Sequence, residues 1–569
     1  MKSGKINILI GGPAGAGIEK SGKLLTLSFV RGGYRVFANV EHMSQIRGGN
    51  NFLRIRVDEK FQQCHEENTD ILIALDKQTI AEHMGEMNEG GAIIYDGEEM
   101  KPEKNVLMVN VPLKSLAISE LGNPVMANVI GLGVLFGLID YDISGLKEVL
   151  GKVFGNKSVE VRAANEKAAQ MGFDIAKEKW ADKFEIKIKK GAGKNEMFLM
   201  GNDAVSLGAL KAGVKFVGEY PMTPSSSILH FMAQWSEKYG VVVKHVEDEI
   251  AAANSIIGAG FAGVRALAAT SGGGFALMTE AVGLASMNEV PIVIVNVMRP
   301  GPATGLPTRT AAGDLRQVIH SGQDDPVKIV LCPGDIFECF EMGFEAFNLA
   351  EKYQLPVIIT YDKNLGEGYF TVPAFDDSKM VVDRGSLLTQ EELEKMPEYK
   401  RYLRAANGVS PRSIPGMKGG THRATSDEHN EFGEICETAE NRKLMVEKRM
   451  KKLEAALNDM PKPLLIGEKN AEITLVTWNS SKLACLETME ILGKDKINIL
   501  QIRCAYPFHK KEVSEILKKA KRLVAVEQNY TAQMAGLVAE NTGILIEEKI
   551  LRYDGRPMTA QNIIDGLKL

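Results

Sequence analysis

Val264-Arg265-Ala266-Leu267-Ala268-Ala269-Thr270-Ser271-Gly272-Gly273-Gly274-Phe275 runs from an apolar stretch through three consecutive glycines into a helical pattern. Residues 264–269 read as a buried strand, and the glycines open the helix that follows. Three glycines there carry a backbone-entropy cost, which close approach of backbone to a ligand or another chain would justify. The neighbouring segments repeat this strand-to-helix unit. Residues 214–216, 241–246, 291–298 and 356–361 also read as strands, with helical patterns between them. Alternating signals of this kind predict an α/β fold built on a mostly parallel sheet.

Ligands of open α/β sheets bind beyond the carboxyl ends of the strands, so the segments just past each strand matter most. Tyr220-Pro221-Met222-Thr223-Pro224-Ser225-Ser226 allows two readings. Thr223 is an N-cap with Pro224 at the first helical position, or its hydroxyl points at a ligand. Glu247-Asp248-Glu249 opens a helix over 250–260. Acids suit a first helical turn, but three carboxylates exceed what a cap requires, and one could be a buried hydrogen-bonding group. Residues 299–310 form a rigid loop with Arg299 and Arg309. Arginine forks bind carboxylates or phosphates; local salt bridges, to Asp314 for example, are the alternative.

The N-terminal portion is a second α/β unit. Residues 6–10 are a strand, Gly11-Gly12-Pro13-Ala14-Gly15-Ala16-Gly17 follows, and a helix is predicted over 18–31. Further strands are expected at 71–75, 92–95 and 106–111. The order GxxGxG departs from the dinucleotide fingerprint, with Glu41 a loose match for its acidic residue. A nicotinamide site and a tight structural turn both remain open on this segment. Lys-rich residues 177–194 read as a linker. Residues 374–458 are polar and read as an excursion over a surface, ending in a charged helix over 441–457. A third α/β unit has strands at 472–478, 497–502 and 523–527.

Composition narrows the function classes. The 569 residues carry a net charge of −5, which gives no basic field for nucleic acid or an anionic membrane. The longest apolar stretch, 129–139, is interrupted by glycine and falls short of the ~18–20 residues that span a bilayer. The first residues lead into a short strand rather than a signal peptide. The six cysteines form no CxxC pair and no zinc or iron–sulfur spacing. Their use fits a reducing cytoplasm.

Together these segments resemble the 2-oxoacid:ferredoxin (acceptor) oxidoreductases, specifically the alpha subunit with a gamma domain fused at its N-terminus. The resemblance covers nearly the whole chain. The glycine loop and Gln45-Ile46-Arg47-Gly48-Gly49 carry the gamma-type α/β domain, residues 1–185. Tyr220-Pro221-Met222-Thr223-Pro224, Glu247-Asp248-Glu249, the triple glycine and the 299–310 loop carry a pyrimidine-binding domain of thiamine diphosphate enzymes, 196–373. Gly408-Val409-Ser410-Pro411-Arg412 and Asp427-Glu428-His429 fall in the insert, 374–460. Arg552-Tyr553-Asp554-Gly555-Arg556-Pro557 marks a transketolase C-terminal-like domain, 461–569.

The resemblance implies oxidative decarboxylation of a 2-oxoacid with coenzyme A to an acyl-CoA, CO2 and reduced ferredoxin. It gives Glu249 a hydrogen bond to the aminopyrimidine ring of thiamine diphosphate. Thr223 falls beside the thiazolium and substrate, Arg309 on the substrate carboxylate, and Arg299 on the same loop. Tyr220, Pro221, Ser271, Gly272 and Gly273 fall around the cofactor. The GDG motif for Mg2+ and diphosphate is missing, and so are the [4Fe–4S] ligands. Both belong to a beta subunit, which makes this chain half of an active site and implies a dimer of alpha–beta units. The form Pro307-Thr308-Arg309-Thr310 favours 2-oxoglutarate, with pyruvate and branched-chain 2-oxoacids still open. A non-catalytic assembly role on the same fold is the rival expectation.

Overall fold

The computed structural model describes residues 4–41, 49–60, 64–102, 104–189, 191, 193 and 196–569. It forms two compact units, Met1–Leu199 with Gly368–Ala374, and Met200–Glu367 with Phe375–Leu569.

The first unit is built on a mixed sheet. Its strand order is Leu107–Asn110, Met87–Tyr95, Thr69–Ala74, Ile6–Pro13, Asn50–Asp58, Arg35–Glu41, Tyr369–Val372 and Met197–Met200. The first four run parallel, whereas Asn50–Asp58 is antiparallel to both its neighbours. The expected mostly parallel sheet is corrected here. Asn50–Asp58 escapes an alternation test because Arg54 and Arg56 stand among Ile55 and Val57 and are equally buried. Arg54 pairs with Glu86 at 2.8 Å and Arg56 with Glu66 at 3.1 Å, which satisfies charges that would otherwise be costly to bury. Residues 368–374 join this sheet through Tyr369–Val372. Its Thr371 hydroxyl accepts the Val36 N–H at 3.0 Å, and Phe370 packs on Phe37.

The helix Ile18–Arg31 starts where the sequence puts it, and the glycine loop before it is accounted for by the chain itself. Gly15 and Gly17 take positive φ of 85° and 78°, and a Cβ at Gly11 or Gly12 would press on Thr79 or Leu75. The strand beside Ile6–Pro13 on that side is antiparallel, so the parallel βαβ frame of a dinucleotide site is not formed there. Residues 42–48, including Gln45 through Gly48, lie outside the described residues.

The Gly-interrupted apolar stretch is the buried helix Ala127–Leu138. Gly133 and Gly137 face the backbone of Val159–Lys179, whose Gly172 faces Ile130 in return; a Cβ at any of the three would overlap a carbonyl oxygen. The glycines let two helix backbones meet. The linker reading of 177–194 is also corrected in part. Phe184, Ile186 and Ile188 alternate into the core, and the Tyr34 hydroxyl donates to Lys189 O.

The second unit carries two sheets. The central one has the order Cys504–Tyr506, Ile329–Leu331, Pro356–Asp362, Ile292–Met298, Ala266–Thr270, Phe216–Glu219 and Val242–His245. All its neighbours are parallel except the first pair. The other sheet has the order Leu464–Ile466, Ile497–Gln501, Ile473–Thr477, Leu523–Glu527 and Glu548–Leu551. One apolar core runs from Phe275 and Ile294 through to Trp478, Leu500 and Val538. Cys504–Tyr506 follows a strand of the C-terminal sheet yet extends the central one, pairing Tyr506 with Val330.

The polar insert is not simply laid over a surface. Its helix, Ala439–Ala456, buries Lys448 and Lys452. Both ammoniums reach Glu289, which is fully buried; Lys448 Nζ lies 2.5 and 2.7 Å from its oxygens. Arg401 adds hydrogen bonds to Glu289 O at 2.8 Å and Gln354 Oε1 at 2.9 Å. Burial alone would raise the Glu289 carboxyl, but these cations hold it below the carboxylate range. One carboxylate faces two ammoniums, and burial pushes Lys452 down to about 7. Glu351 is a second hub, paired with Arg265 at 2.9 Å, Arg384 at 2.7 Å and Arg412 at 3.1 Å. The insert's charges are its fastening.

Candidate functional site

The carboxyl ends of the central strands bring the expected residues together. After Ala266–Thr270 the chain turns at Ser271 into the helix Gly272–Met287. The three glycines have different reasons. A Cβ at Gly272 would overlap the Asp314 carboxyl, and one at Gly274 would overlap Glu249 Oε1 and Thr270 Oγ1. Gly273 is exposed and meets nothing nearer than Met222 at 3.9 Å. Two glycines make room for carboxyls, and the third leaves open backbone.

The three acids also separate by role. Glu247 is exposed, and Asp248 caps the helix Glu249–Phe261, accepting the Ala251 N–H at 2.7 Å. Glu249, at the first helical position, is 3% exposed, and its Oε1 has no hydrogen-bond partner. Ser271 Oγ is likewise buried and unpartnered. Buried polar atoms are nearly always satisfied, so each of these two atoms suits a polar group of a ligand.

Thr223 is not the N-cap. The helix runs Ser226–Tyr239 with Ser225 in the cap position. Ser225 turns the loop back by donating both N–H and hydroxyl to Met222 O. The Thr223 carbonyl accepts from Arg299 Nη1 at 2.6 Å, and its half-buried hydroxyl makes no hydrogen bond among the described residues. Arg299 therefore braces the Thr223 loop. Behind it, Asn202 Nδ2 donates to Pro224 O at 2.8 Å and Tyr361 donates to Asn202 Oδ1 at 2.7 Å. Pro221 is half-buried on the same loop, and Tyr220, 38% exposed, packs on His245.

Arg309 sits on the neighbouring loop. Burial, with Arg556 nearby, pushes its guanidinium down to about 10. Thr310 anchors that loop. Its N–H donates to Gly555 O at 3.2 Å, and its hydroxyl to the buried Asp362 at 3.3 Å. Asp314 is named by the sequence only as a partner for arginine, but it belongs to this site. It lies against Gly272, takes Asn296 Nδ2 at 3.4 Å, and burial raises its carboxyl to about 6.

Sequence reasoning misses Glu219. It ends the strand Phe216–Glu219, one residue before Tyr220, and is fully buried with neither carboxyl oxygen partnered. Its only sequence signal is an acid at the end of an apolar strand. Burial pushes it well above the usual carboxylate range. The folded chain keeps a proton that the unfolded chain releases, so its contribution to stability falls as pH rises above about 4.5. Glu219→Gln has the shape of the protonated acid and cannot ionise. Its Tm should match the parent at about pH 4.5 and exceed it increasingly as the pH is raised above that value. An offset independent of pH would refute this.

Comparison with known proteins fixes the family. The chain is 32% identical to the 2-oxoacid:ferredoxin oxidoreductase subunit alpha of Sulfolobus sp., covering 99% of this chain and 96% of that protein. The chain belongs to the 2-oxoacid:ferredoxin oxidoreductase family, as an alpha subunit. Two models of the family match this oxidoreductase subunit. Residues 207–448 match the pyruvate flavodoxin/ferredoxin oxidoreductase thiamine diphosphate-binding region, and residues 7–175 match the pyruvate ferredoxin/flavodoxin oxidoreductase domain. The 2-oxoglutarate synthase subunit KorA of Methanothermobacter thermautotrophicus is 33% identical over 59% of this chain and 88% of its own. A solved 2-oxoglutarate:ferredoxin oxidoreductase from Magnetococcus marinus, with 2-oxoglutarate, coenzyme A and succinyl-CoA bound, superposes with a TM-score of 0.92. It is 29% identical and covers 100% of this chain and 99% of that one. The α/β multidomain expectation stands. No helix among the described residues is long and apolar enough to cross a membrane.

Proposed function

We propose that this alpha subunit, joined to a beta subunit, oxidatively decarboxylates 2-oxoglutarate with coenzyme A, giving succinyl-CoA, CO2 and reduced ferredoxin. The unpartnered Glu249 Oε1, seated in the room that Gly274 leaves, carries the reading. It is a fixed, desolvated oxygen awaiting a hydrogen-bond donor, and the aminopyrimidine ring of thiamine diphosphate fits that need. Thiamine diphosphate, when bound, supplies the nucleophilic carbon and the electron sink for decarboxylation.

The chain's own residues place and protonate. Glu249 holds a proton at the pyrimidine ring. Ser271, Gly272 and Gly273 present backbone and hydroxyl to the cofactor, with Tyr220 and Pro221 on the facing loop. Arg299 fixes Thr223 through its carbonyl, so the Thr223 hydroxyl is left for the substrate. Arg309 receives the carboxylate next to the oxo group, and a carboxylate–guanidinium pair in a partly desolvated site is strong. Mg2+, the diphosphate grip and the [4Fe–4S] cluster come from the beta subunit, in a dimer of alpha–beta units in the cytoplasm. In this reading residues 1–185 act as the gamma-type domain, 196–373 as the pyrimidine-binding domain and 461–569 as the transketolase C-terminal-like domain, joined by 374–460. The similarity to KorA and to the 2-oxoglutarate-bound enzyme supports the choice of substrate.

Anaerobic viologen reduction tests this. The isolated chain should be inactive. The alpha–beta complex with thiamine diphosphate, Mg2+ and coenzyme A should turn over, with kcat/KM for 2-oxoglutarate above those for pyruvate and a branched-chain 2-oxoacid. Robust activity from the isolated chain would overturn the shared-site reading, and a preference for pyruvate would overturn the choice of substrate.

A further inference from the structure

The C-terminal sheet has a place where a ligand is expected, and the chain fills it with its own residues. Ile473–Thr477 lies between Ile497–Gln501 and Leu523–Glu527 and is parallel to both, so the chain leaves it on one side and returns on the other. Open α/β sheets bind ligands at such a reversal, beyond the carboxyl ends of the strands. Just past Thr477, Asn479 and Ser480 lead into the helix Ser481–Leu492, whose N-terminus favours an anion. The anion seated there is the side chain of Asp362, from the end of the central strand Pro356–Asp362.

The Asp362 carboxylate is fully buried and meets donors on every hydrogen bond it makes among the described residues. Its Oδ2 takes the Ser480 N–H at 3.3 Å and Gln528 Nε2 at 3.1 Å, and its Oδ1 takes the Leu365 N–H at 3.1 Å. Asn479, at φ +58°, accepts the N–H groups of both Asp362 and Ser480, at 3.0 and 2.9 Å. The fourth donor to Asp362 is the Thr310 hydroxyl, at 3.3 Å. That hydroxyl accepts the Asn364 N–H at 3.1 Å, which leaves its own proton for Asp362. The same crevice grips the chain two residues further on. Ala312 donates its N–H to Gln528 O at 2.8 Å, and its carbonyl takes Asn529 Nδ2 at 3.1 Å. Thr310 directly follows Arg309, so the end of the 299–310 loop is held where a free ligand would otherwise sit.

We infer that Asp362 is a positioning residue for the substrate loop: seated in the crevice of the C-terminal sheet, it holds Thr310 by its hydroxyl and so sets where Arg309 meets the 2-oxoacid. The inference rests on the role given to Arg309 above and adds the group that places it. It also gives the C-terminal sheet a task in the reaction, which is to present the loop of the neighbouring sheet.

The test uses the alpha–beta complex carrying Thr310→Val, Thr310→Ser, Asp362→Asn, or Thr310→Val together with Asp362→Asn. Valine keeps the shape of threonine and removes the hydroxyl. In Thr310→Val the KM for 2-oxoglutarate should rise about 10-fold, while kcat and the KM for coenzyme A hold. Thr310→Ser keeps the hydroxyl and should stay near the parent. Asp362→Asn puts an amide among four donors and should raise the same KM at least as far. The double variant should be no worse than Asp362→Asn alone, because both changes break one link. Additive losses, or a joint shift of kcat and both KM values, would make Asp362 merely structural and overturn the inference; so would an unchanged KM in Thr310→Val. If Asp362→Asn does not fold, the contrast between valine and serine at position 310 decides. Arg309→Gln separates the failures. If it leaves the KM for 2-oxoglutarate unchanged, the role of Arg309 fails first and this inference with it. If it raises that KM and Thr310→Val does not, only the role of Asp362 fails.

Discussion

Glu249→Gln in the alpha–beta complex is expected to lower kcat by about 10²- to 10⁴-fold, the usual worth of a positioned general acid–base group. The substitution preserves volume, and Gln still presents an oxygen toward Gly274, so the helix Glu249–Phe261 should fold with its Asp248 cap intact. What Gln cannot do is hold or yield a proton. Thermal stability of the variant should therefore stay within a degree or two of the parent while turnover collapses. Glu249→Ala would be a poorer test, since it removes packing and charge together. An unchanged rate in the Gln variant would sink the catalytic reading and favour an assembly role on the same fold.

The second large effect concerns stability. Glu289→Ala removes the carboxylate that compensates Lys448 and Lys452 and leaves two ammoniums in a fully buried site. Removing one partner of a buried ion pair costs about 3–5 kcal/mol. In a chain of two units this loss need not appear as one cooperative transition. The expected result is release of the insert, seen as cleavage within 374–460 at protease levels that leave the parent intact, together with a lowered first transition on heating. The control replaces the whole cluster with Glu289→Leu, Lys448→Met and Lys452→Met. Apolar residues of similar volume often match a buried ion group in stability, so the triple variant should regain much of the protease resistance. A single variant as resistant as the parent would show that the cluster does not hold the insert.

The site was legible where chemistry and local pattern coincide. Glu249 stands out because three acids follow a strand and only one is needed as a cap. Gly272 and Gly274 stand out because glycine is expensive in a helix, although the sequence cannot say that carboxyls rather than a ligand fill their space. Thr223 shows the limit of local rules. Thr-Pro suits a helix start, but Arg299 and Asn202 pull the loop outward and the helix begins at Ser226.

What stayed hidden depends on partners far away in the chain. Lys448 and Lys452 read as solvated because nothing near them announces Glu289. Arg54 and Arg56 blur a strand because their carboxylates come from Glu86 and Glu66. Glu219 has no partner among the described residues, so no pattern of pairing could reveal it.

The edge strand Cys504–Tyr506 bears on when the molecule can be finished during synthesis. Its neighbour Ile329–Leu331 is wholly buried, and an uncovered apolar edge is a ready template for wrong pairing. The strands of the central sheet from Phe216 to Asp362 leave the ribosome long before residue 504 does. Domains made from the N-terminal side usually fold as they emerge, but this sheet must wait with one side open until nearly half of the C-terminal unit, 461–569, has been made. That interval is when a nascent chain of this kind depends most on protection from its neighbours.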